Sequence, residues 1–231
     1  SFDDLAVSTS GLFGPARRHQ LTVRAQVSFV TTWLAPRLQD FRDRYPHIEL
    51  RVLCAIWADA YVLGGVDVDI RQRADADTDD GVELLHRDHA VVIHSPAHEH
   101  RYGPVRGAAD LEGRPRVHVL GFDDLWQQLR NTHGLPDSGQ TITVDTSISA
   151  IEIAATSTSL ALVSERYARP ALHAGRVRTS LDPIPMRQGH VLVRPRDAPE
   201  PSPEARIFER WLRDQLDAEE SHPEPMEEPE G

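Results

Sequence analysis

A change in the spacing of apolar residues within Leu21–Tyr45 constrains the fold more than any other feature of the sequence. In the first eight residues of this stretch apolar and polar side chains alternate, which is the period-two pattern of a β-strand. From Phe29 onward apolar residues recur every three or four positions, which predicts a helix with one buried stripe. Pro36 favours a regular helix that begins nearer Thr32, which leaves residues 28–31 as an open turn. The stretch therefore predicts a strand followed by a helix, the opening unit of an α/β fold.

Three hydroxyl side chains lie at this junction, those of Ser28, Thr31 and Thr32. The first backbone N–H groups of a helix have no partner within the helix, so an anionic or carbonyl ligand is stabilised there without an added cation. The same hydroxyls also suit a plain helix cap. Both a ligand-binding turn and a cap are therefore open alternatives for the junction.

The rest of the chain alternates strand and helix patterns, which predicts a mainly parallel α/β protein. The long apolar run from Val82 to Ile93 is predicted to be one strand that crosses between two subdomains. Thr146 and Ser147 are expected to cap a helix that follows a strand at 141–145. The four tryptophans are predicted to anchor the core, and Cys54 to be a packed thiol.

Composition narrows the class of protein. A net charge of -11 argues against nucleic-acid binding by this segment, because phosphate contacts need clustered basic residues. Seven of the carboxylates follow Leu216 among prolines and without lysine or arginine, which predicts a disordered acidic tail that either contacts a protein partner or has no role. The single cysteine excludes an internal disulfide. With no long apolar run and no signal pattern, the sequence predicts a soluble, cytoplasmic protein that does not enter a membrane.

No motif of a catalytic or cofactor-binding protein is present: the sequence contains no nucleophile elbow, dinucleotide fingerprint, phosphate loop or H-E-x-x-H. His94, His98 and His100 form the one cluster that resembles a metal site, with His86 and His89 nearby. They lie on a segment predicted to be a loop, without cysteine or carboxylate spacing that matches a known site. The sequence therefore predicts no catalytic residue, no metal and no cofactor.

An ordered series of segments resembles the effector-binding domain of LysR-type transcriptional regulators, nearest to the branch of the glycine-cleavage activator and the β-lactamase regulators. The segments are L-T-V-R-A-Q-V-S-F-V-T-T-W-L-A-P-R-L at 21–38, G-G-V-D-V-D-I-R at 64–71, V-D-T-S-I-S-A-I-E-I-A-A at 144–155 and Q-G-H-V-L-V-R-P at 188–195. The resemblance extends over roughly residues 1–216.

The resemblance implies an α/β fold of two Rossmann-like subdomains joined by two crossing strands, as in type II periplasmic binding proteins. Subdomain I would comprise 20–89 plus 194–217, and subdomain II 90–193. Residues 1–19 would be the end of a linker helix and a hinge, and 218–231 an acidic disordered tail. A DNA-binding winged helix-turn-helix would then lie upstream of this chain.

The resemblance also implies a ligand-sensing function. A small effector would bind between the subdomains of a homodimer or homotetramer that contacts DNA through the missing N-terminal domain, and no bond would be made or broken. The effector-binding residues would be Ser28, Phe29, Thr31, Thr32, Arg71, Thr146, Ser147 and His190. In β-lactamase regulators, hydroxyls matching Ser28 and Thr146 or Ser147, with a tyrosine at the position of His190, contact a cell-wall peptide. The histidine in this sequence changes the shape of the site and introduces titration near neutral pH.

Two other functions suit the same fold. A solute-binding protein of a transporter would be expected to have a signal peptide and to be a monomer. The linker-helix remnant argues against this function. An enzyme requires a catalytic set in the cleft, for which Ser28, Thr146 and His190 offer a nucleophile and a base. The sequence shows no carboxylate to orient His190, which argues against an enzyme.

Overall fold

The computed structural model describes residues 19–55, 65–73, 81–133, 139–194 and 200–221. Within these ranges the strands are β1 (His19–Gln26), β2 (Ile48–Ala55), β3 (Val68–Arg73), β4 (Val82–His94), β5 (Arg116–Val119), β6 (Thr141–Val144), β7 (Leu160–Ser164), β8 (Arg178–Thr179) and β9 (Ile184–Val193). Helix α1 is a continuous run of four segments, Val27–Phe29, Val30–Leu34, Ala35–Arg37 and Leu38–Arg44. The other helices are α2 (Pro96–Tyr102), α3 (Asp123–His133), α4 (Ser147–Thr156), α5 (Glu165–His173) and α6 (Pro203–Ser221), and Ala108–Leu111 forms a 3₁₀ turn. Among the described residues, no helix combines the length and the apolar character that crossing a membrane requires.

The strands form one mixed sheet in the order β2-β1-β3-β9-β4-β7-β5-β6, with β8 also paired to β4. Pairing is parallel at both ends of the sheet and antiparallel around β4 and β9. The prediction of a mainly parallel sheet is therefore wrong for the centre of the sheet, where β9 runs antiparallel to both of its neighbours.

Strand β4 is a single strand of 13 residues, as its apolar run predicted. Its first part pairs with β9, beginning at Val82 opposite Val193. Its last part pairs with β7, from Ala90 opposite Ser164. Strand β4 thus joins the two halves of the sheet, and the side chains in its middle lie where the two halves meet.

Buried aromatic and aliphatic side chains tie the helices to the sheet. Helix α1 contributes Phe41, whose ring centroid lies 5.3 Å from that of Phe208 and 5.1 Å from that of Trp211 on α6. Trp33, Trp126 and Trp211 are buried, as expected of core residues, and Trp57 lies outside the described residues. Cys54 is exposed, so its prediction as a packed thiol is wrong, because β2 is an edge strand of the sheet.

Two segments differ from their predicted conformations. The region after β4 was predicted to be a loop, but Ser95 caps α2 by accepting a hydrogen bond from the His98 N–H at 3.2 Å. A disordered tail was predicted from residue 218, but helix α6 continues through Ser221. An acidic segment is stable as a helix here because Glu219 meets arginine side chains from two other helices.

We expect Gly189→Ala to lower the free energy of unfolding by about 1–3 kcal/mol, because a methyl group there overpacks the contact between β4 and β9. A Cβ at residue 189 would lie 2.7 Å from the His86 carbonyl oxygen and 2.8 Å from Leu84 Cδ1. Urea unfolding followed by circular dichroism measures the change. Gly107→Ala is the matched control, since a Cβ at 107 meets no atom within 4 Å of those described. An equal effect of the two substitutions would contradict the close packing at Gly189.

Candidate functional site

The junction between β1 and α1 is helical throughout. Helix α1 begins at Val27, so the expectation of an open turn at residues 28–31 is wrong. A regular α-helix would place the Pro36 ring against the Thr32 carbonyl. The chain avoids this clash with a wide π-turn, in which the Ala35 N–H donates to the Val30 carbonyl, followed by a 3₁₀ turn that holds Pro36. The helix can therefore start early and still contain the proline.

The hydroxyls at this junction have different roles. Thr31 Oγ1 donates to the Val27 carbonyl at 2.8 Å, and Thr32 Oγ1 donates to the Ser28 carbonyl at 2.7 Å, so both are bonded back to their own helix. Ser28 points across to a different element. Its Oγ accepts a hydrogen bond from the Ile148 N–H, at the start of α4, at 3.2 Å. The starts of α1 and α4, which lie far apart in sequence, therefore meet at Ser28.

The start of α4 is also capped by its own residues. Thr146 is the N-cap, and its Oγ1 accepts from the Ser149 N–H at 3.3 Å. Ser147, the first residue of the helix, is buried. The prediction that Thr146 caps this helix is confirmed. No acidic residue lies in the first turn of α4, so the positive end of its dipole faces Ser28 unopposed within that turn.

His190 lies beside this junction, on β9, and is 1% exposed. Its ring packs against Phe29 at a centroid distance of 4.8 Å, and Phe29 in turn stacks on Trp33 at 4.9 Å. His190 Nε2 is 2.6 Å from the Tyr167 hydroxyl. His190 Nδ1 is 3.3 Å from Asp88 Oδ2, but it has no aligned hydrogen-bond partner among the described residues. Both edges of the imidazole therefore face other buried side chains.

These buried groups determine one another's protonation. Burial lowers the pKa of His190 to about 4, although the Asp88 carboxylate opposes that change. Burial raises the pKa of the Tyr167 hydroxyl well above its usual value. At neutral pH the imidazole is therefore neutral, and the arrangement fits a tautomer in which Tyr167 donates to Nε2 and the ring proton on Nδ1 faces Asp88.

Asp88 on β4 is the centre of a buried polar network that sequence reasoning missed. It accepts from Arg166 Nε at 3.2 Å and from Ser164 Oγ at 3.1 Å, and His86 Nε2 lies 3.2 Å away. Burial by itself raises the pKa of Asp88, but the surrounding His190, His86 and Arg166 outweigh it and hold that pKa well below its usual range. One sequence signal was present: a charged residue inside a buried strand requires a partner.

A second set of contacts extends the network to the end of α6. Glu219 Oε2 accepts from Trp33 Nε1 and from Arg166 Nη1, each at 2.5 Å, and lies 3.5 Å from Arg37 Nη2. Glu219 Oε1 accepts from Arg169. We call Arg37, Arg166, Arg169 and the Trp33 indole the arginine cage. Sequence reasoning missed it because Glu219 stands in an acid-rich segment that resembles a solvated tail.

Arg71, also predicted to bind the effector, lies on β3 opposite Val191 of β9. Its guanidinium contacts the Asp69 carboxylate at 2.8 Å, and Asp69 also accepts from Arg24 Nε at 2.9 Å. The structure therefore places Arg71 on the strand next to His190 but gives its charge a partner of its own.

The histidine cluster does not form a shared site. His94 and His98 are buried, whereas His100 is exposed on α2. His98 uses both ring nitrogens, with Nδ1 2.7 Å from the Thr158 carbonyl and Nε2 2.8 Å from Arg114 Nη1. Across the described ranges, no three histidine, cysteine, aspartate or glutamate side chains are grouped to hold a metal ion.

A sheet with parallel ends, joined through two long antiparallel strands and with two helix starts facing each other, defines the ligand-binding fold of the type II periplasmic-binding-protein class. The sequence matches the family described as LysR substrate binding domain over residues 15–217, and the chain belongs to that family. It is the ligand-sensing domain of a LysR-type transcriptional regulator. A comparison with curated proteins gives no match.

Solved structures of the same class are similar to this one. The effector-binding domain of AmpR from Citrobacter freundii has 23% sequence identity and a TM-score of 0.74, covering 87% of this chain and 99% of its own. The effector domain of AmpR from Pseudomonas aeruginosa has 26% identity and a TM-score of 0.73, covering 87% and 96%. Full-length LysG from Corynebacterium glutamicum, described with bound effector Arg, has 19% identity and a TM-score of 0.58, covering 91% and 72%. The resemblance to LysR-type regulators is confirmed, and kinship with the glycine-cleavage activators stays a prediction.

Proposed function

We propose that this sensing domain binds a small polar or anionic effector at the meeting point of α1 and α4. The observation that carries the proposal is the hydrogen bond from the Ile148 N–H to Ser28 Oγ at 3.2 Å. It brings a side chain of one helix start to a backbone donor of the other. A ligand oxygen at this point would be stabilised by the same donor.

The surroundings favour a ligand with an oxygen acceptor and an apolar body. The start of α4 offers backbone N–H groups and a positive dipole end. Phe29 and the neutral His190 pack against each other beside this point and add no charge to it. Ser147 and Thr146 add hydroxyls at the same helix start. In this proposal the ligand oxygen accepts from the Ile148 N–H in place of Ser28, and the released Ser28 hydroxyl donates to the ligand. Thr31, Thr32 and Arg71 contribute less because their polar groups already bond elsewhere.

The proposal includes no chemical reaction. The structure does supply a carboxylate beside His190, that of Asp88, which the sequence did not reveal. However, His190 is 1% exposed and its Nε2 is bonded to Tyr167. A base needs access to a proton on the substrate, so this arrangement supports a structural network rather than a catalytic one.

Signal output, in our proposal, follows from binding. LysR-type regulators bind DNA and small effectors and are oligomeric, and we propose that this domain acts as a homodimer or homotetramer in the cytoplasm. The effector would bind between a first subdomain (20–89 plus 194–217) and a second (90–193), and would favour one arrangement of the subunits by its difference in affinity for the two. That shift would reposition the DNA-binding parts of the regulator.

Removing a hydroxyl at the meeting point is expected to weaken effector binding about tenfold, which corresponds to one lost hydrogen bond of roughly 1.4 kcal/mol. The experiment is a thermal-shift screen of amino acids, muropeptides and aromatic acids, followed by calorimetric titration of any ligand that stabilises the chain. The variants are Ser28→Ala and Ser147→Ala.

Thr156→Ala is the matched control for this series. Thr156 is exposed at the far end of α4 and its hydroxyl bonds to the Glu152 carbonyl. Thr156→Ala should bind the ligand with the same affinity as the unmodified chain. A ligand that binds equally well to Ser28→Ala, Ser147→Ala and the control would place the effector site elsewhere.

A further inference from the structure

The arginine cage holds its shape through contacts that do not involve Glu219. Arg166 is fixed by Asp88, and Arg37 Nη1 donates to the Trp33 carbonyl at 2.8 Å. Arg169 lies 3.8 Å from the Glu165 carboxylate. The Trp33 ring is stacked on Phe29. Four donors from α1 and α5 are therefore already directed at one point, which is the preorganisation that an anion-binding site requires.

The group that occupies the cage belongs to a weakly attached part of the chain. Leu216 on α6 is buried. Beyond it Asp217, Ala218 and Ser221 are exposed, whereas the Glu219 side chain is 10% exposed. The last turn of a helix frays readily when few buried contacts hold it. Releasing Glu219 would therefore free one helical turn without opening the core.

We propose that the arginine cage is a carboxylate-binding site which Glu219 occupies as an internal ligand, and that a small free carboxylic acid can replace it. The two oxygens of Glu219 divide the donors, with Oε1 accepting from Arg169 and Oε2 from Arg166 and Trp33. A planar group with two acceptor oxygens matches this division. The site is separate from the effector site proposed at Ser28 and α4, and the inference does not depend on that proposal.

Binding of a free acid in the cage would affect neighbouring elements through the contacts of Trp33 and Arg166. Trp33 stacks on Phe29, which packs against His190. Arg166 joins Glu219 to Asp88, at 2.5 Å and 3.2 Å. An exchange of Glu219 for a free acid would therefore release the end of α6 while the guanidinium and indole groups keep an acceptor.

The test uses the full chain with Glu219→Ala, which removes the carboxylate and one methylene group, and acetate, which supplies them in free form. We expect this variant to melt roughly 4–8 °C below the unmodified chain, because charged hydrogen bonds are lost. Sodium acetate should restore at least half of that loss with a Kd on the order of 10 mM, whereas the same concentration of sodium chloride should not.

Trp33 provides a local signal for the same experiment. The chain has 4 tryptophans, and the Trp33 indole N–H resonance can be assigned from a Trp33→Phe variant. In Glu219→Ala this resonance should move, and acetate should return it toward its original position. In the unmodified chain, higher concentrations of acetate should speed amide exchange in residues 217–221 as the free acid displaces Glu219.

Two variants serve as controls. Asp217→Ala removes an exposed carboxylate from the same helical turn and should show neither the loss nor the acetate effect. Glu219→Gln keeps the side chain in place and should leave no room for acetate. If acetate changes neither the melting temperature nor the Trp33 resonance of Glu219→Ala beyond the effect of chloride, the cage is not a carboxylate site. If Glu219→Ala does not fold, the acetate titration of the unmodified chain decides alone, and unchanged amide exchange at saturating acetate overturns the proposed replacement.

Discussion

Replacing Asp88 by alanine is expected to lower the free energy of unfolding by about 3–5 kcal/mol, because it breaks the buried ion pair with Arg166 and leaves Glu219 as the remaining carboxylate on that guanidinium. The Arg166 side chain is 4% exposed and the Asp88 side chain 2% exposed, so water cannot replace the lost carboxylate. Ser164 loses an acceptor in the same change. Urea unfolding of Asp88→Ala at pH 7, followed by circular dichroism, measures the effect.

A carboxylate near the start of the same strand provides the matched control. Glu83 pairs with Arg213 at 2.8 Å, but the two side chains are 43% and 36% exposed. Solvent screens such a pair, so Glu83→Ala should cost less than about 1 kcal/mol. If Asp88→Ala costs no more than Glu83→Ala, the Asp88 network does not stabilise the junction between the two ends of the sheet.

The sequence predicted most elements because their patterns are local. Alternation identified β1, and a long apolar run identified β4. The cap at Thr146 was also evident, because a cap lies within one short stretch. In each case the information needed to place the element is contained in neighbouring residues.

The parts that the sequence did not predict depend on contacts between distant residues. Trp33 and Glu219 are 186 positions apart, and their hydrogen bond helps to hold the end of α6 in a helix. Asp88 and Arg166 are 78 positions apart. No short-range pattern indicates which carboxylate will find which arginine, so the tail assignment at residues 218–221 was wrong and the carboxylate beside His190 was not evident from the sequence.

The candidate site was likewise predicted only in part from the sequence. Ser28 and Thr146 were predicted as site residues because each lies at the start of a helix. The two helix starts do meet, through the hydrogen bond from the Ile148 N–H to Ser28 Oγ. Thr31 and Thr32 were expected to be free for a ligand, but a continuous helix gives them carbonyl acceptors of their own. Effector binding by these residues stays a prediction.

Between pH 6.5 and 4 the free energy of unfolding is expected to fall as the pH falls, with His190 contributing as much as about 3 kcal/mol. Burial lowers the pKa of His190 to about 4 in the folded chain, while an unfolded histidine titrates near 6.5. In this window the unfolded chain binds a proton that the folded chain excludes, so acid favours unfolding. Burial also lowers the pKa of His94 and His98, which act in the same direction.

A non-titrating replacement isolates the contribution of His190. Urea unfolding from pH 7 to 5 should show a shallower pH dependence for His190→Gln than for the unmodified chain, even if the variant is less stable at every pH. His47→Gln, at an exposed position in the turn between α1 and β2, is the control and should follow the curve of the unmodified chain. Parallel curves for His190→Gln and the unmodified chain would mean that His190 is not held neutral by its surroundings. A shallower curve would establish that His190 is held neutral at physiological pH, so that the buried ring beside the proposed effector site carries no charge.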